Sequence, residues 1–338
     1  MSGSPGQRVT MEAIAQAAGV SVPTVSRVVN GRGGVSAATR ERVERLLSRH
    51  EYRARNSKRA SAGLIQVIFP EIECTWEVGH LVGIEAAVQD AGAGLLVSAL
   101  NGRVASKDEL VRQFRSGPAD GVILAAATGD HPMVAALESL RIPVIALDPA
   151  VTAAREMPTV GAANWSGARG ATAHLLGLGH RRIAMIAGSR VLECSSARLA
   201  GHLAALDEAG VAADPALIVT SEYEFDAGFA AARRLLAADD PPTAVFASSD
   251  TIALGVYQAA RLRGLSIPGE LSVVGFDDLP SARWASPPLT TVRQPLQEMG
   301  RLAARTILRL AGRETIDYPH MELTTTLVVR ESTAPPRG

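Results

Sequence analysis

At 338 residues, with 47% hydrophobic and 20% charged positions, the chain is long enough for two or three packed domains and too apolar to be disordered throughout. It holds no run of about 18 apolar residues, and its opening MSGSPGQR lacks the apolar stretch of a signal peptide, which together predict a cytoplasmic protein without a membrane partner. The net charge of zero hides a partition: residues 1–60 carry eleven Lys and Arg against four Asp and Glu, a net of +7, and the remainder is −7.

Residues 1–8 are expected to be disordered. From Thr10 to Asn30, TMEAIAQAAGVSVPTVSRVVN reads as two short helices around a tight turn. Thr10 caps the first, whose buried stripe is Ile14, Ala15 and Ala18, and Gly19 closes it. Ser21 caps the second, and Pro23 falls in its first turn, where its missing N–H costs nothing. Val25, Val28 and Val29 form its apolar stripe, leaving Thr24, Ser26, Arg27 and Asn30 on or beside the other face. An ordinary helical hairpin would need none of this exposed polar face or the surrounding basic charge. Two helices of this kind suit a reader of the DNA major groove. Ser36 then caps a third helix, ATRERVERLLSRH, with Val43, Leu46 and Leu47 buried.

YRARNSKRASAG follows, basic and weakly hydrophobic. It fits either a plain tether or a short helix that orders only on a duplex. From Leu64 the pattern changes to short apolar runs alternating with amphipathic helices. LIQVIF, GLLVSA, GVILAA and PVIALD are predicted strands, with helices over 80–91, 107–115 and 131–140 between them. A loop rich in Ala and Pro separates this series from a second one. There NWSGARGATAHLLGLG, SSARLAGHLAALDEAG, 225–237 and 251–263 are helices, and RRIAMIAG, TAVFAS and LSVVGFD are strands. QPLQEMGRLAARTILRLAG adds a helix and MELTTTLVVRES a last strand or two. Such alternation predicts parallel sheets covered on both faces, in two doubly wound halves, with a ligand at the strand ends between them. Cys74 and Cys194 are too few for a disulfide framework, and no Cys/His spacing suggests a metal, so no cofactor is expected.

TMEAIAQAAGVSVPTVSRVVNG resembles the helix-turn-helix of the LacI/GalR transcriptional repressors. The resemblance continues through GLGHRRIAMIAG, SSARLAGHLAAL, IPGELSVVGFDDLP, PPLTTVRQP and LVVREST, and so spans 10–333. It implies an α/β core of two doubly wound parallel-sheet subdomains, like periplasmic binding proteins, preceded by a small all-α helix-turn-helix domain. The implied division is a head over 1–50, a hinge over 51–62, and a core over 63–334. Within that core an N-subdomain covers 63–162 plus 293–321, and a C-subdomain 163–290 plus 322–334. The implied function is a sequence-specific repressor, not an enzyme, that binds a pseudo-palindromic operator as a homodimer and answers to a mono- or oligosaccharide effector.

In the head, the resemblance puts Val22 and Pro23 at the start of the recognition helix and aims Arg27 at a guanine edge. Thr10, Ser21, Thr24, Ser26 and Asn30 become phosphate- or base-positioning groups, with capping an equal role for Thr10 and Ser21. The hinge departs from the family pattern. Ser61 stands where a leucine usually wedges between bases, and Ala54 and Lys58 replace other typical residues. Weaker operator bending is therefore expected, or minor-groove contacts from Lys58 and Arg59. In the cleft, Arg198 resembles the arginine that binds sugar hydroxyls and Asp277 the carboxylate opposite it. Asp148 ends a neighbouring strand. Trp76 and Trp284, with Phe225, are candidate stacking faces, and Cys194 a pocket wall. Asp250 and Asp278 fit ligand binding, helix capping or loop fixing. A sugar-acting enzyme is disfavoured by the absence of GxxxxGK[ST], GxGxxG or a recognisable nucleophile–base pair, and a transport protein by the basic head.

Overall fold

The structure is a computed structural model that describes residues 10–29, 34–49, 63–101, 107–117, 119–126, 132–149, 157–190 and 192–337. Asn30, Ala54, Lys58, Arg59, Ser61 and the expected hinge helix lie outside the described residues. The chain divides into two compact units, Met1–Ala62 and Gly63–Gly338.

The first unit holds α1 (Met11–Ala18), α2 (Val22–Val29) and α3 (Ala37–Arg49). Ile14, Ala15, Ala18, Val25, Val28 and Val43 form its small core. Each helix starts where a hydroxyl is available. The Thr10 Oγ1 accepts from the Ala13 N–H at 3.3 Å, Ser21 Oγ from Thr24 N–H at 3.4 Å, and Ser36 Oγ from Thr39 N–H at 3.3 Å. Gly19 takes the left-handed conformation, φ 64°, that ends α1 and turns the chain.

In the second unit the expected alternation is present. Its N-terminal half runs β1 (Leu64–Phe69), α4 (Thr75–Asp90), β2 (Gly94–Ala99), α5 (Lys107–Ser116), β3 (Gly121–Ala125), α6 (Pro132–Leu140), β4 (Val144–Leu147) and β5 (Thr159–Ala162). Next come α7 (Asn164–Gly177), β6 (Ile183–Ala187), α8 (Glu193–Glu208), β7 (Ile218–Thr220), α9 (Phe225–Leu236), β8 (Ala244–Ala247) and α10 (Asp250–Leu262). The chain ends with β9 (Ser272–Asp277), α11 (Pro280–Trp284), β10 (Thr290–Arg293), α12 (Leu296–Ala311), β11 (His320–Leu323) and β12 (Thr326–Val328).

Among the described residues these strands form two six-stranded sheets, β11-β5-β4-β3-β1-β2 and β12-β10-β9-β8-β6-β7. Pairings are parallel except β10 with β12. Alternation along a strand explains the two-sided burial. Ile65, Val67 and Phe69 of β1 face α4 and α12, and Ile68 faces α5 and α6. In the second sheet Ala184 and Ile186 face α9 and α10, and Ile183 and Met185 face α7 and α8.

The chain passes between the sheets after β5, after β10 and after β11. The last two crossings fall slightly later than expected, since β10 keeps Arg293 in the C-terminal sheet and β11 keeps Leu323 in the N-terminal one. α4 begins five residues earlier than expected, at Thr75, because the Glu77 carboxylate accepts from the Cys74 N–H at 3.0 Å and supplies a cap the cysteine itself does not. Strands β5, β7 and β10 and the short helix α11 were not foreseen. No helix among the described residues is long and apolar enough to cross a membrane.

Candidate functional site

In the first unit, α2 divides its side chains as the sequence suggests. Val25 and Val28 are buried, Val22 packs partly on the same core, and Pro23 and Arg27 are exposed. Thr24 and Ser26 are half-buried, and the Ser21 and Thr24 hydroxyls bond each other at 2.9 Å. Thr10 and Ser21 thus act as caps while staying on the surface. The helix offers a guanidinium and several hydroxyls on one side and aliphatic packing on the other, which is the chemistry of a groove reader.

The second unit has a buried polar cluster where α7 and α8 begin and β9 ends. Arg198, on α8, is 2% exposed. Its Nε donates to Asn164 Oδ1 at 2.8 Å and its Nη1 to the Ser248 carbonyl at 2.5 Å. Nη1 also lies 3.8 Å from Asp277 Oδ1, and the guanidinium stacks 3.8 Å from the centre of the Phe276 ring. Asp277 is held by Gln294 Nε2, which donates at 2.6 Å, and takes φ 117°, a conformation that costs energy for a residue with a side chain. Burial pushes its carboxyl up to about 7, against the opposing pull of Arg198 and Gln294. Burial likewise raises Asp148, which Arg198 and Asn164 partly offset.

A cavity of about 630 Å³ opens beside this cluster. The buried or half-buried Asp148, Asn164, Cys194 and Ala197 line it, and so do the exposed Trp165, Glu193, His320 and Glu322. It draws on both subdomains, since Asp148, β5 and β11 come from one and α7 and α8 from the other. Burial and the nearby Asp148 charge hold the Cys194 thiol at about 11, so it is a neutral wall group. Tyr223 lies behind it, its hydroxyl 2.7 Å from Ser195 Oγ and 3.8 Å from Cys194 Sγ.

The structure thus brings together Arg198, Asp277, Asp148 and Cys194, and it separates the remaining candidates from them. Trp76 turns toward the core, with ring centres 4.4 Å from His80 and 6.5 Å from Phe69. Trp284 ends α11 at 79% exposure, outside the cavity lining. Phe225 lines a separate hollow of about 400 Å³ with Leu254, Tyr257 and Leu265. Asp250 has no exposure: its oxygens accept from Leu279 N–H at 2.7 Å and Thr291 Oγ1 at 2.5 Å, so it fixes the turn after β9. Asp278 fixes the same region by pairing with Arg293 at 2.6 Å and Arg330 at 2.5 Å.

The aromatic at the cavity is Trp165, on the first turn of α7, and sequence reasoning passed over it. Its signal was available in NWSG, a helix start immediately after a crossing between subdomains. Tyr223, two residues before Phe225, is the aromatic nearer the cluster. Strand β7, which was not foreseen, ends just before Tyr223 and would have distinguished the two.

Residues 10–55 match the model of the lacI family of bacterial regulatory proteins, and residues 172–333 match that of a periplasmic binding protein-like domain. The ribose operon repressor of Haemophilus influenzae is 34% identical over 328 residues, 96% of this chain and 98% of that one. The chain belongs to the lacI family. This lacI-family protein is a DNA-binding transcriptional regulator with a helix-turn-helix head and a periplasmic-binding-protein-like core. The regulator CelR of Thermobifida fusca is 34% identical over 340 residues, covering 96% of this chain and 98% of the relative. A solved CelR–cellobiose complex superposes with a TM-score of 0.75 at 33% identity, covering 96% and 100% of the two chains. The lac repressor dimer bound to operator and the anti-inducer ONPF gives 0.71 at 27% identity, covering 97% and 100%.

Proposed function

We propose that this regulator is a cytoplasmic repressor that binds a pseudo-palindromic operator as a homodimer and is switched by a saccharide in the 630 Å³ cavity. The observation that carries the reading is the cavity wall itself: one ligand there touches Asp148 and β11 from one subdomain and Asn164 and Cys194 from the other. A ligand bonded to both changes how the subdomains meet, to the extent that it binds one arrangement better. Asp148 presents acceptors to sugar hydroxyls, while Asn164, whose Nδ2 donates to the Ala162 carbonyl and whose Oδ1 accepts from Arg198, fixes the wall beside it.

In the head, Arg27 is the principal base-reading group, worth about 1–3 kcal/mol of discrimination if bidentate to guanine. Thr10, Ser21, Thr24, Ser26 and Asn30 position the backbone, Val22 and Pro23 give apolar contact, and Lys58 and Arg59 reach the minor groove. Two apolar surfaces support the dimer: Val78 and Val82 on α4 with Leu96 and Val97 on β2, and Phe225, Leu262 and Trp284 in the other subdomain. Burial against a second copy gives Trp284 and Phe225 a role that the cavity does not.

Gel shifts with the protein's own upstream DNA, with and without a panel of saccharides, test this reading. Bound operator whose affinity changes with one sugar is the expected result. Asp148→Asn is expected to weaken that response while leaving sugar-free operator binding intact. A protein that binds sugar and never shifts DNA at low salt would sink the proposal.

A further inference from the structure

The charge of the cavity narrows what it accepts. Among the described residues lining it there are three carboxylates, Asp148, Glu193 and Glu322, and no lysine or arginine. The Arg198 guanidinium is engaged by Asn164, the Ser248 carbonyl and Asp277, and does not line the cavity. Glu193 stands in the first turn of α8, where its charge already complements the positive end of the helix. Such a wall accepts hydrogen bonds and repels an anion.

Its shape adds a second constraint. At about 630 Å³ the cavity lies within the roughly 300–1,000 Å³ typical of sites for drug-sized ligands, more than one sugar ring fills. Trp165 lines it and is 44% exposed, so its ring has surface to give. A cation flanks that ring. Arg169 sits 6.0 Å from its centre and is itself held by Glu208, with Nη2 and Oε2 2.7 Å apart. His320 and Glu322, two apart on β11, share one face of the strand, and His320 is steadied by Thr159 at 3.2 Å.

We propose that the cavity takes an uncharged saccharide of at least two rings, one at Asp148, Asn164 and Cys194 and the next on Trp165 between Glu193 and Glu322. This rests on the reading of the cavity as the effector site. An apolar sugar face lies on the indole, and the hydroxyls at its edge donate to the two glutamates. Trp165 and the glutamates then set ligand length and charge, while the more buried residues hold the first ring.

Titration calorimetry on the full chain tests this with α- and β-linked disaccharides, their component monosaccharides, an aldonic or uronic acid form of each disaccharide, and cytidine. A neutral disaccharide is expected to bind at least about tenfold tighter than its monosaccharide and its acid form. Trp165→Ala should remove that advantage and leave monosaccharide affinity within about twofold, with Trp165→Phe intermediate. Glu193→Gln with Glu322→Gln should bring the acid form to within about threefold of the neutral sugar. Equal affinity for one ring and two, an equal loss of both in Trp165→Ala, an anion bound as well as the neutral sugar, or cytidine as the tightest ligand would each overturn it. Gel shifts run beside the titrations separate the two readings: a monosaccharide that releases operator defeats only this inference, whereas no response to any bound sugar defeats the effector reading too.

Discussion

Arg198 is fixed by four engagements at once, to Asn164, Ser248, Asp277 and the Phe276 face. Removing its side chain leaves the Asp277 and Asp148 carboxyls buried without their cation, and breaking a buried pair costs about 3–5 kcal/mol. Arg198→Ala is therefore expected to lose sugar response and at least about 3 kcal/mol of stability in urea denaturation. Unchanged stability would show that water reaches the cluster. A second residue-scale prediction concerns His80. Its Nδ1 lies 3.1 Å from the Trp76 carbonyl, which accepts its proton, and Nε2 is a buried acceptor with no partner. Burial lowers its pKa from 6.5 to about 4, so the unfolded chain binds the proton first as pH falls. The stability this group contributes is full above 6.5 and is lost as pH falls toward 4. His80→Leu should unfold with up to about one proton fewer taken up at pH 5, read from the pH dependence of denaturation midpoints; an unchanged dependence would refute this. Residues tied to a strand end or a family motif, such as Arg198, Asp148 and Asp277, were legible in the sequence. The aromatics were not, because whether Trp76 faces the core or a ligand depends on how α4 packs back against Phe69 of β1, which the sequence around Trp76 does not record.

Elements were legible where burial imposes a long apolar run or a full helical period. β1, β3, β4, β6, β8 and β9 are such runs, and α8 and α10 begin within two residues of expectation. β5 and β7 are only four and three residues long, and TVGA and IVT carry too little apolar sequence to stand out from a loop. Close approach of helices was equally hidden. Gly83 of α4 meets α12 so tightly that an added Cβ would lie 1.8 Å from the Gln297 carbonyl oxygen. Gly83→Ala must push the two helices apart, and a loss of at least about 3 kcal/mol is expected by chemical denaturation. Gly170 on α7 is the control, since an added Cβ there meets nothing within 4 Å. Gly170→Ala is expected to stabilise by about 0.5–1 kcal/mol, the ordinary gain for a helix interior. Equal effects at the two positions would mean that α4 and α12 are free to separate.

At the scale of the whole molecule, the partition of charge and the apolar surfaces belong to one design. The basic residues concentrate in the first 60, on a unit whose recognition helix is eight residues long and whose core is built from a handful of small aliphatic side chains. A head of that size makes few contacts, so in the proposed dimer its affinity gains from a second head delivered at high local concentration, by about 10²–10⁴ when both sites are spanned. Val82 on α4 and Leu96 on the edge strand β2 are large, apolar and exposed, in the larger unit rather than the head. Glutamate at both positions puts carboxylates into any two-fold interface that covers α4 or the β2 edge. The variant Val82→Glu, Leu96→Glu is expected to sediment as a monomer and to lose at least about 100-fold in operator affinity. Its saccharide affinity should stay within about twofold of the parent, because neither residue lines the cavity. A monomer that still grips operator at full strength would mean that one head suffices, and a variant that remains a dimer would move the interface to the surface around Phe225, Leu262 and Trp284.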